Sequence, residues 1–264
     1  MKTLVIDVGG THVKLLATGR QEVVKIPSGL KMTAEAMVEA VVAAAQGWEY
    51  EAVSIGYPGP VVDGRPLREP YNLGPGWIDF DYPGRLGRPV RLLNDAAMQA
   101  LGSYQGGRML FLGLGTGLGS AMVIGKTVVP LELAHLPYRK GRTFEDYAGL
   151  RGLERLGKRK WRRAVADMVA RLKAAMVADY VVLGGGNVKR LHSLPRDARP
   201  GDNRNAFVGG FRLWEEDVAI ASPSHPSYGV APAVPSDEAE ENNGRADGVP
   251  LVSAGYAVTA PPLA

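Results

Sequence analysis

The sequence has no cysteine among its 264 residues and no long apolar run. The first absence excludes disulfides, zinc sites built on thiolates and cysteine nucleophiles, and it fits a cytoplasmic protein. The second argues against a membrane helix, which needs about 20 continuous apolar residues. The opening stretch MKTLVIDVGG reaches an aspartate after a short apolar run. We therefore expect no signal peptide, no membrane partner and a cytoplasmic location.

Charge is distributed unevenly along the chain, although the net charge is only +4. Residues 217–264 carry six acidic residues against Arg245 alone, a balance of -5, which leaves +9 on the remainder. That segment is rich in Pro, Ser, Ala, Glu and Asn and has no apolar periodicity, a composition that predicts a disordered tail. The basic remainder suits anionic ligands such as phosphates; a merely solvated Lys/Arg surface is the other interpretation.

Short apolar strands alternate with amphipathic helices before the tail, which predicts an α/β fold. We expect strands at 4–8, 13–17, 22–26, 52–56, 90–93, 109–114, 120–124 and 180–183. We expect helices at 34–46 (with Thr33 as N-cap), 96–104, 144–156, 161–177 and 206–216, and a Gly/Pro-rich loop over 63–88. Repeated strand–turn–strand units indicate two lobes joined near 105–108, so the predicted domains are 1–106, 107–216 and the tail 217–264.

The strongest local signal is the segment Asp7-Val8-Gly9-Gly10-Thr11, followed by Lys14. Two glycines between strands let backbone N–H groups approach a polyanion, and Thr11 adds a hydroxyl. Asp7 can hold Mg²⁺ directly or through water, and Lys14 supplies a point charge. A plain hairpin turn with a capping aspartate is the alternative.

Two further glycine-rich segments follow apolar strands, at residues 113–120 and 184–187. Alternate glycines weaken a strand, so a backbone cradle for phosphate is the favoured interpretation of the first, against a bulged hairpin. Gly184-Gly185-Gly186-Asn187 would let a flat or anionic ligand lie over the backbone, although a strand-to-helix turn also uses glycine.

Asn94-Asp95 lies where a strand is expected to end and a helix to begin. An Asp there is commonly an N-cap, and the functional alternative is a general base at the floor of a cleft. Glu132, His135 and Glu145 follow in a segment without hydrophobic periodicity, where polar groups could bind a polyhydroxyl ligand.

The ordered set DxGGT, NDA, GTGxGS, ExxH and GGG resembles the ROK family of repressors, open reading frames and sugar kinases, and covers residues 3–214. Residues 150–192 look closest to its polyphosphate glucokinase branch. The resemblance implies a two-lobed actin-like ATPase (ribonuclease H-like) fold, with a mixed five-stranded sheet and helices in each lobe. The lobes would close on a sugar, and a homodimer is typical of the family.

The resemblance also implies roles for individual residues. It places the phosphoryl donor on three turns, formed by Asp7, Gly9, Gly10, Thr11 and Lys14, by Gly115, Thr116 and Gly117, and by Gly184, Gly185 and Gly186. It assigns the sugar to Asn72, Asn94, Asp95, Glu132, His135 and Glu145, with Asp95 as the catalytic base.

Three departures from the family pattern change what the resemblance implies. The glycine of the family's ExGH motif is Ala134, which adds a Cβ near the sugar. Arg139 to Thr143 replace the Cys-rich zinc motif, so we expect no zinc site. The first turn begins at residue 7, which leaves no room for the DNA-binding domain of repressor members, and we expect no nucleic-acid partner.

The expected activity is phosphoryl transfer to the 6-hydroxyl of a hexose, most simply glucose, with Mg²⁺ and with ATP or polyphosphate as donor. A basic cluster of Lys158, Arg159, Lys160, Arg162 and Arg163, with Lys189 and Arg190, would suit polyphosphate, although a solvated helix face explains it equally well. A kinase for fructose, mannose or an N-acetyl amino sugar, and a non-catalytic sugar-sensing protein, are the alternatives.

Overall fold

The structure, a computed structural model, describes residues 1–221. Its first half contains β1 (Thr3–Val8), β2 (His12–Ala17), β3 (Val24–Pro27), α1 (Ala34–Ala44), β4 (Ala52–Tyr57), β5 (Val61–Val62), β6 (Arg65–Pro66), α2 (Tyr82–Leu86) and β7 (Val90–Asn94). Five of these strands form a mixed sheet in the order β3-β2-β1-β4-β7. The meander β1–β2–β3 is antiparallel, whereas β1, β4 and β7 run parallel, so their carboxyl ends share one edge.

The second half contains α3 (Asp95–Ser103), β8 (Arg108–Leu114), β9 (Leu118–Ile124), β10 (Thr127–Leu131), β11 (Pro137–Arg139), β12 (Arg142–Thr143), α4 (Phe144–Ala148), α5 (Leu150–Ala175), β13 (Tyr180–Gly184), β14 (Ala198–Pro200), α6 (Asn205–Arg212) and β15 (Ala219–Ile220). Its sheet has six strands in the order β14-β13-β8-β9-β10-β15, one more than the resemblance implied. The parallel neighbours β8 and β13 again end at a common edge.

The two sheets stack with helices between and outside them. Alternate residues of β1 face opposite sides: Leu4 and Ile6 join the cluster under α1, whereas Val5 joins the cluster around α3 and α6. A third cluster lies between the second sheet and α5, centred on the fully buried Trp161. Both faces of each sheet are therefore covered, as parallel strands require.

The helices α3 and α6 cross at very close range between the sheets. A Cβ on Gly102 or Gly209 would overlap the partner helix's backbone, so glycine is required at both crossing points. The end of α6 also meets the first sheet, because the Ser54 hydroxyl donates to the Gly210 carbonyl (2.6 Å) and accepts from the Trp214 indole (2.9 Å). The predicted boundary at 106–107 falls in the turn between α3 and β8, and the division into lobes stays a prediction.

Several predicted elements differ from those observed. The loop expected at 63–88 contains α2 and part of the β5–β6 hairpin, both too short to leave a periodic signature. The strand β10 was not predicted. Helix α5 begins six residues after Phe144, as a separate element from α4, and is interrupted at Gly157, whose φ is 70°. Helix α6 ends at Arg212, four residues earlier than expected.

The predicted tail begins within the described residues. Ala219 and Ile220 form β15, which pairs in parallel with Thr127 and Val128 of β10, so a short strand stands where the sequence predicts disorder. The rest of that prediction, residues 222–264, lies outside the described residues. Within residues 1–221, no helix is both long and apolar enough to cross a membrane.

Candidate active site

The first glycine turn joins β1 to β2 with Asp7 and Lys14 paired across the two strands. The Lys14 ammonium donates to the Asp7 carboxylate at 2.8 Å, and both side chains remain partly exposed. A Cβ on Gly9 would lie 2.9 Å from the His12 carbonyl oxygen, so the turn requires glycine there. The Ser28 hydroxyl donates to the Gly9 carbonyl at 2.6 Å and braces the turn from outside.

Asp95 is the first residue of α3, directly after β7. The helix cap is Asn94, whose side-chain oxygen accepts from the Ala97 N–H (3.1 Å) while its amide donates to the Gly59 carbonyl (3.0 Å). The capping role that the sequence allowed for Asp95 therefore belongs to Asn94. The Asp95 carboxylate accepts only the adjacent Ala96 N–H, at 2.7 Å, among the described residues. Because β1 and β7 flank β4 in parallel, Asp95 and Asp7 lie at the same sheet edge.

Burial raises the pKa of Asp95 from its usual 3.8 to about 7. The negative charges of Asp7 and Glu132 act in the same direction, whereas the Ala96 N–H and the Lys14 charge oppose it. The carboxylate thus lies close enough to Asp7 and Glu132 for both charges to raise its pKa. A carboxyl that titrates near neutrality can act as a general base at physiological pH.

The second glycine segment is a regular hairpin, which corrects its interpretation as a cradle running through 113–120. Gly113 and Gly119 pair directly within β8 and β9, and the ladder closes at Leu114 and Leu118. Gly119 lacks a side chain because a Cβ there would lie 2.7 Å from the Cβ of Ala96 at the start of α3. Only 115–117 form the turn, and the contact with Ala96 brings this hairpin beside Asp95.

The third turn is held against the second. The N–H of Asn187 donates to the Leu114 carbonyl (2.9 Å), and its side-chain amide donates to the Gly115 carbonyl (2.8 Å). Gly185 has φ 84°, and a Cβ there would lie 2.5 Å from the Leu114 carbonyl oxygen. The parallel pairing of β8 with β13 therefore joins the two turns into one backbone surface.

Glu132 precedes a single turn of 3₁₀ helix (Leu133–His135) that ends at His135, with 3.8 Å between the Glu132 carboxylate oxygen and the His135 Nε2. Burial raises the pKa of Glu132, as does the charge of Glu145, whereas His135 and Arg68 lower it. These charges all act on one carboxylate, so the groups lie near one another.

Glu145, near the start of α4, touches the second turn directly. Its carboxylate accepts from the Leu118 N–H at 3.1 Å, and a Cβ on Gly117 would lie 2.5 Å from the same oxygen. The Arg151 guanidinium donates to the other oxygen at 3.3 Å. This carboxylate therefore links the predicted sugar residues to the predicted donor turn.

Ala134 and Asn72, both near the predicted sugar site by sequence, lie in different surroundings. Ala134 is 3% exposed and packs in the apolar cluster beneath the second sheet, so its Cβ points into the core. Asn72 is exposed and lies against the first turn, because a Cβ on Gly10 would be 2.8 Å from the Asn72 Cβ.

Three side chains at this edge were missed by the sequence reasoning: Ser28, Glu69 and Arg151. Ser28 braces Gly9, Arg151 pairs with Glu145, and Glu69 accepts backbone N–H groups from Gly76 and Trp77. Ser28 lies 19 residues from its partner, Glu69 lies in an irregular loop, and Arg151 pairs across the break between α4 and α5. No spacing pattern could have singled them out.

Several known proteins are similar to this chain. The ROK family model matches residues 3–130. A polyphosphate glucokinase from Mycobacterium tuberculosis is 27% identical over 203 residues, which cover 69% of this chain and 76% of that protein. The similarity to this glucokinase is longer than the family match and therefore extends beyond residue 130.

Two crystal structures share the fold. The inorganic polyphosphate/ATP-glucomannokinase from Arthrobacter sp. strain KM is 25% identical, with a TM-score of 0.68, over 79% of this chain and 96% of that one. A ROK family glucokinase from Streptomyces griseus, solved with glucose and AMPPNP, is 21% identical with a TM-score of 0.66, over 81% and 99%. At this identity, the Streptomyces griseus structure supports a similarity of fold. With its glycine turns, its paired mixed sheets and these matches, the chain is similar to the ROK family and has the actin-like fold of the ROK sugar kinases.

Proposed function

We propose that this protein is a hexose kinase that transfers a phosphoryl group from polyphosphate or ATP to the 6-hydroxyl of glucose. The observation that carries the proposal is the position of Asp95. Its neighbour Ala96 lies against Gly119 of β9, two residues after the second turn, and the charge of Asp7 beside the first turn acts on the pKa of Asp95. A titratable carboxylate thus lies between two glycine turns.

In the proposed reaction Asp95 accepts the proton of the attacking hydroxyl. The hydroxyl oxygen forms a bond to the terminal phosphorus as the bond from that phosphorus to the donor's bridging oxygen breaks. Transfer of this kind depends mainly on positioning and charge stabilisation, so backbone N–H groups of the two turns would supply the main contribution. The N–H groups of Gly9 and Gly115 already donate within their turns, which leaves this role to the neighbouring residues of each turn. Lys14, which is partly exposed beside Asp7, adds a positive charge.

The sugar would be held by the polar side chains near Asp95: Asn72, Asn94, Glu132, His135 and Glu145. Asn94 already uses one donor and one acceptor in the protein, and an amide retains one further position of each kind. Glu132 and His135 remain exposed and available to hydroxyl groups. The Cβ of Ala134 faces the core and so leaves the sugar side unobstructed.

Magnesium fits the residues present if the donor supplies most of its ligands. Within residues 1–221, no group of three or more acidic or histidine side chains could hold a metal ion. Asp7 offers a carboxylate of which one oxygen is engaged by Lys14. Mg²⁺ commonly keeps several waters and binds one or two carboxylates together with substrate phosphates, so Asp7 would hold it through water. The ion would neutralise charge on the transferred group.

The predicted basic cluster adjoins the donor turns through a chain of hydrogen bonds. Arg162 donates to the Arg190 carbonyl (2.8 Å), Arg190 donates to the Asn187 side chain (3.1 Å), and Asn187 donates to Gly115 (2.8 Å). The exposed Arg190 and the half-buried Arg162 therefore continue outward from the second turn. A long polyanion would gain from such a row, and this arrangement supports polyphosphate as a donor beside ATP.

A panel of hexoses offered with ATP or with polyphosphate tests the proposal. We expect glucose to be phosphorylated, and expect Arg162→Ala with Arg190→Ala to raise the KM for polyphosphate while reducing its salt dependence. Arg171→Ala is the matched control, since that cation lies on the same helix but pairs with Asp167. Activity with ATP alone would reject the polyphosphate donor. Calorimetric binding of glucose without turnover would replace the kinase with a sugar-sensing protein.

A further inference from the structure

The loop between β6 and α2 is organised around the carboxylate of Glu69. This carboxylate accepts the backbone N–H groups of Gly76 (3.1 Å), Trp77 (3.1 Å) and Ile78 (3.5 Å). Hydrogen bonds from N–H groups to a carboxylate are stronger than those between neutral groups. One side chain near the start of the loop therefore holds the far end of the same loop.

The rest of the loop is anchored at both ends. At its start, the Tyr57 hydroxyl donates to the Arg68 carbonyl at 2.6 Å. At its end, the fully buried Trp77 donates from its indole to the Gly74 carbonyl at 2.8 Å, and the Gly74 N–H donates to Met32 at 2.9 Å. The tip projects, since Tyr71 is 96% exposed.

The tip carries Asn72, and Asn72 lies against Gly10 of the first turn. The segment that receives Gly74, residues 28–32, also braces that turn, because the Ser28 hydroxyl donates to the Gly9 carbonyl. The loop and the first glycine turn are thus fastened to one common segment. Displacing the loop would move Asn72 relative to the turn.

We propose that Glu69 is a positioning residue for the sugar: its carboxylate closes the 69–78 loop and so holds Asn72 beside the first glycine turn. This inference rests on the proposed function, in which Asn72 contacts the sugar. Two properties of the side chain are required. Both oxygens accept hydrogen bonds, and neither carries a hydrogen that would face the N–H groups. A glutamine keeps one acceptor oxygen and replaces the other with an NH₂ group, which would face the backbone donors.

The test compares Glu69→Gln with Asp79→Asn. The second substitution removes an exposed negative charge from the same region and leaves the carboxylate that binds the N–H groups of residues 76–78 in place. We expect Glu69→Gln to raise the KM for glucose about tenfold, equivalent to about 1.4 kcal/mol, with kcat and the donor KM nearly unchanged. Asp79→Asn leaves all three constants unchanged. In an Asn72→Ala background, Glu69→Gln causes no further rise, because the two residues act together.

Hydrogen exchange of the wild type and Glu69→Gln separates this proposal from the proposed function. We expect faster exchange at the amides of residues 76–78 in the variant. Any of three results overturns the positioning role. The first is an unchanged glucose KM in Glu69→Gln, and the second is a tenfold rise that persists in the Asn72→Ala background. The third is unchanged exchange at the amides of residues 76–78. A wild-type protein that phosphorylates no hexose with either donor overturns the proposed function, and the exchange result then decides the loop-closing role on its own.

Discussion

Asp95→Asn is the substitution that most directly tests the catalytic proposal. The asparagine oxygen can still accept the Ala96 N–H now received at 2.7 Å, so the start of α3 is preserved. The variant lacks a base, however. A positioned general base contributes about 10²- to 10⁴-fold, so we expect kcat to fall by about 10³.

The same substitution should make the protein more stable at high pH. The carboxyl has a pKa of about 7 in the folded chain against its usual 3.8, because burial and the charge of Asp7 disfavour ionisation. Between these values the folded state binds a proton that the unfolded state has lost, so the wild-type free energy of unfolding decreases as pH rises. The full difference, reached above pH 7, corresponds to about 4 kcal/mol as an upper bound. Asp95→Asn does not ionise and avoids this loss.

The assays are sugar phosphate formation at saturating substrates and urea unfolding at pH 4 and pH 8. We expect wild-type kcat/KM to rise with pH and to level off above about 7, since the base must be ionised. Unfolding should show the variant more stable than the wild type at pH 8 and nearly equal at pH 4. A variant that keeps activity within tenfold, or that is equally stabilised at both pH values, would refute the reasoning.

Two further predictions concern the charge beside Asp95 and the helix crossing. Asp7→Asn removes a negative charge that raises the pKa of Asp95, so the rising limb of the kcat/KM profile should move to lower pH even if activity falls; an unmoved limb contradicts the proximity of the two groups. Gly209→Ala places a Cβ on the Met98 carbonyl of α3 and should lower the free energy of unfolding by about 1–3 kcal/mol, as overpacking typically does, measured by urea unfolding. Gly186→Ala, which has no atom within 4 Å of the added Cβ, is the control, and equal losses in both would exclude the steric explanation.

Elements with strong local signals were predicted well. Helix α1 begins at Ala34 with the Thr33 hydroxyl accepting the Ala36 N–H, as its capping residue and apolar spacing predict. The meander and the strand ends at Gly9, Gly115 and Gly185 also agree with the sequence to within a few residues. These features depend on contacts between residues close in the chain, which a sequence displays directly.

Features that depend on contacts with residues distant in sequence were not predicted. The glycines at 113 and 119 suggested an irregular cradle, yet Gly119 is required because β9 passes over Ala96. Nothing near residue 119 shows that approach. Likewise β15 exists because β10 offers a free edge, although its own sequence has the composition of a tail.

By itself, the sequence determined that strands end in glycine turns, that a carboxylate follows one of them, and that no thiol chemistry is available. Only the tertiary structure decided that Asn94 caps the helix while Asp95 stays available, and that Asp95 lies between two turns over 100 residues apart in sequence. The physical reason is that a pKa and a hydrogen-bond network depend on distances and burial. These arise when parallel strands bring remote segments to one edge.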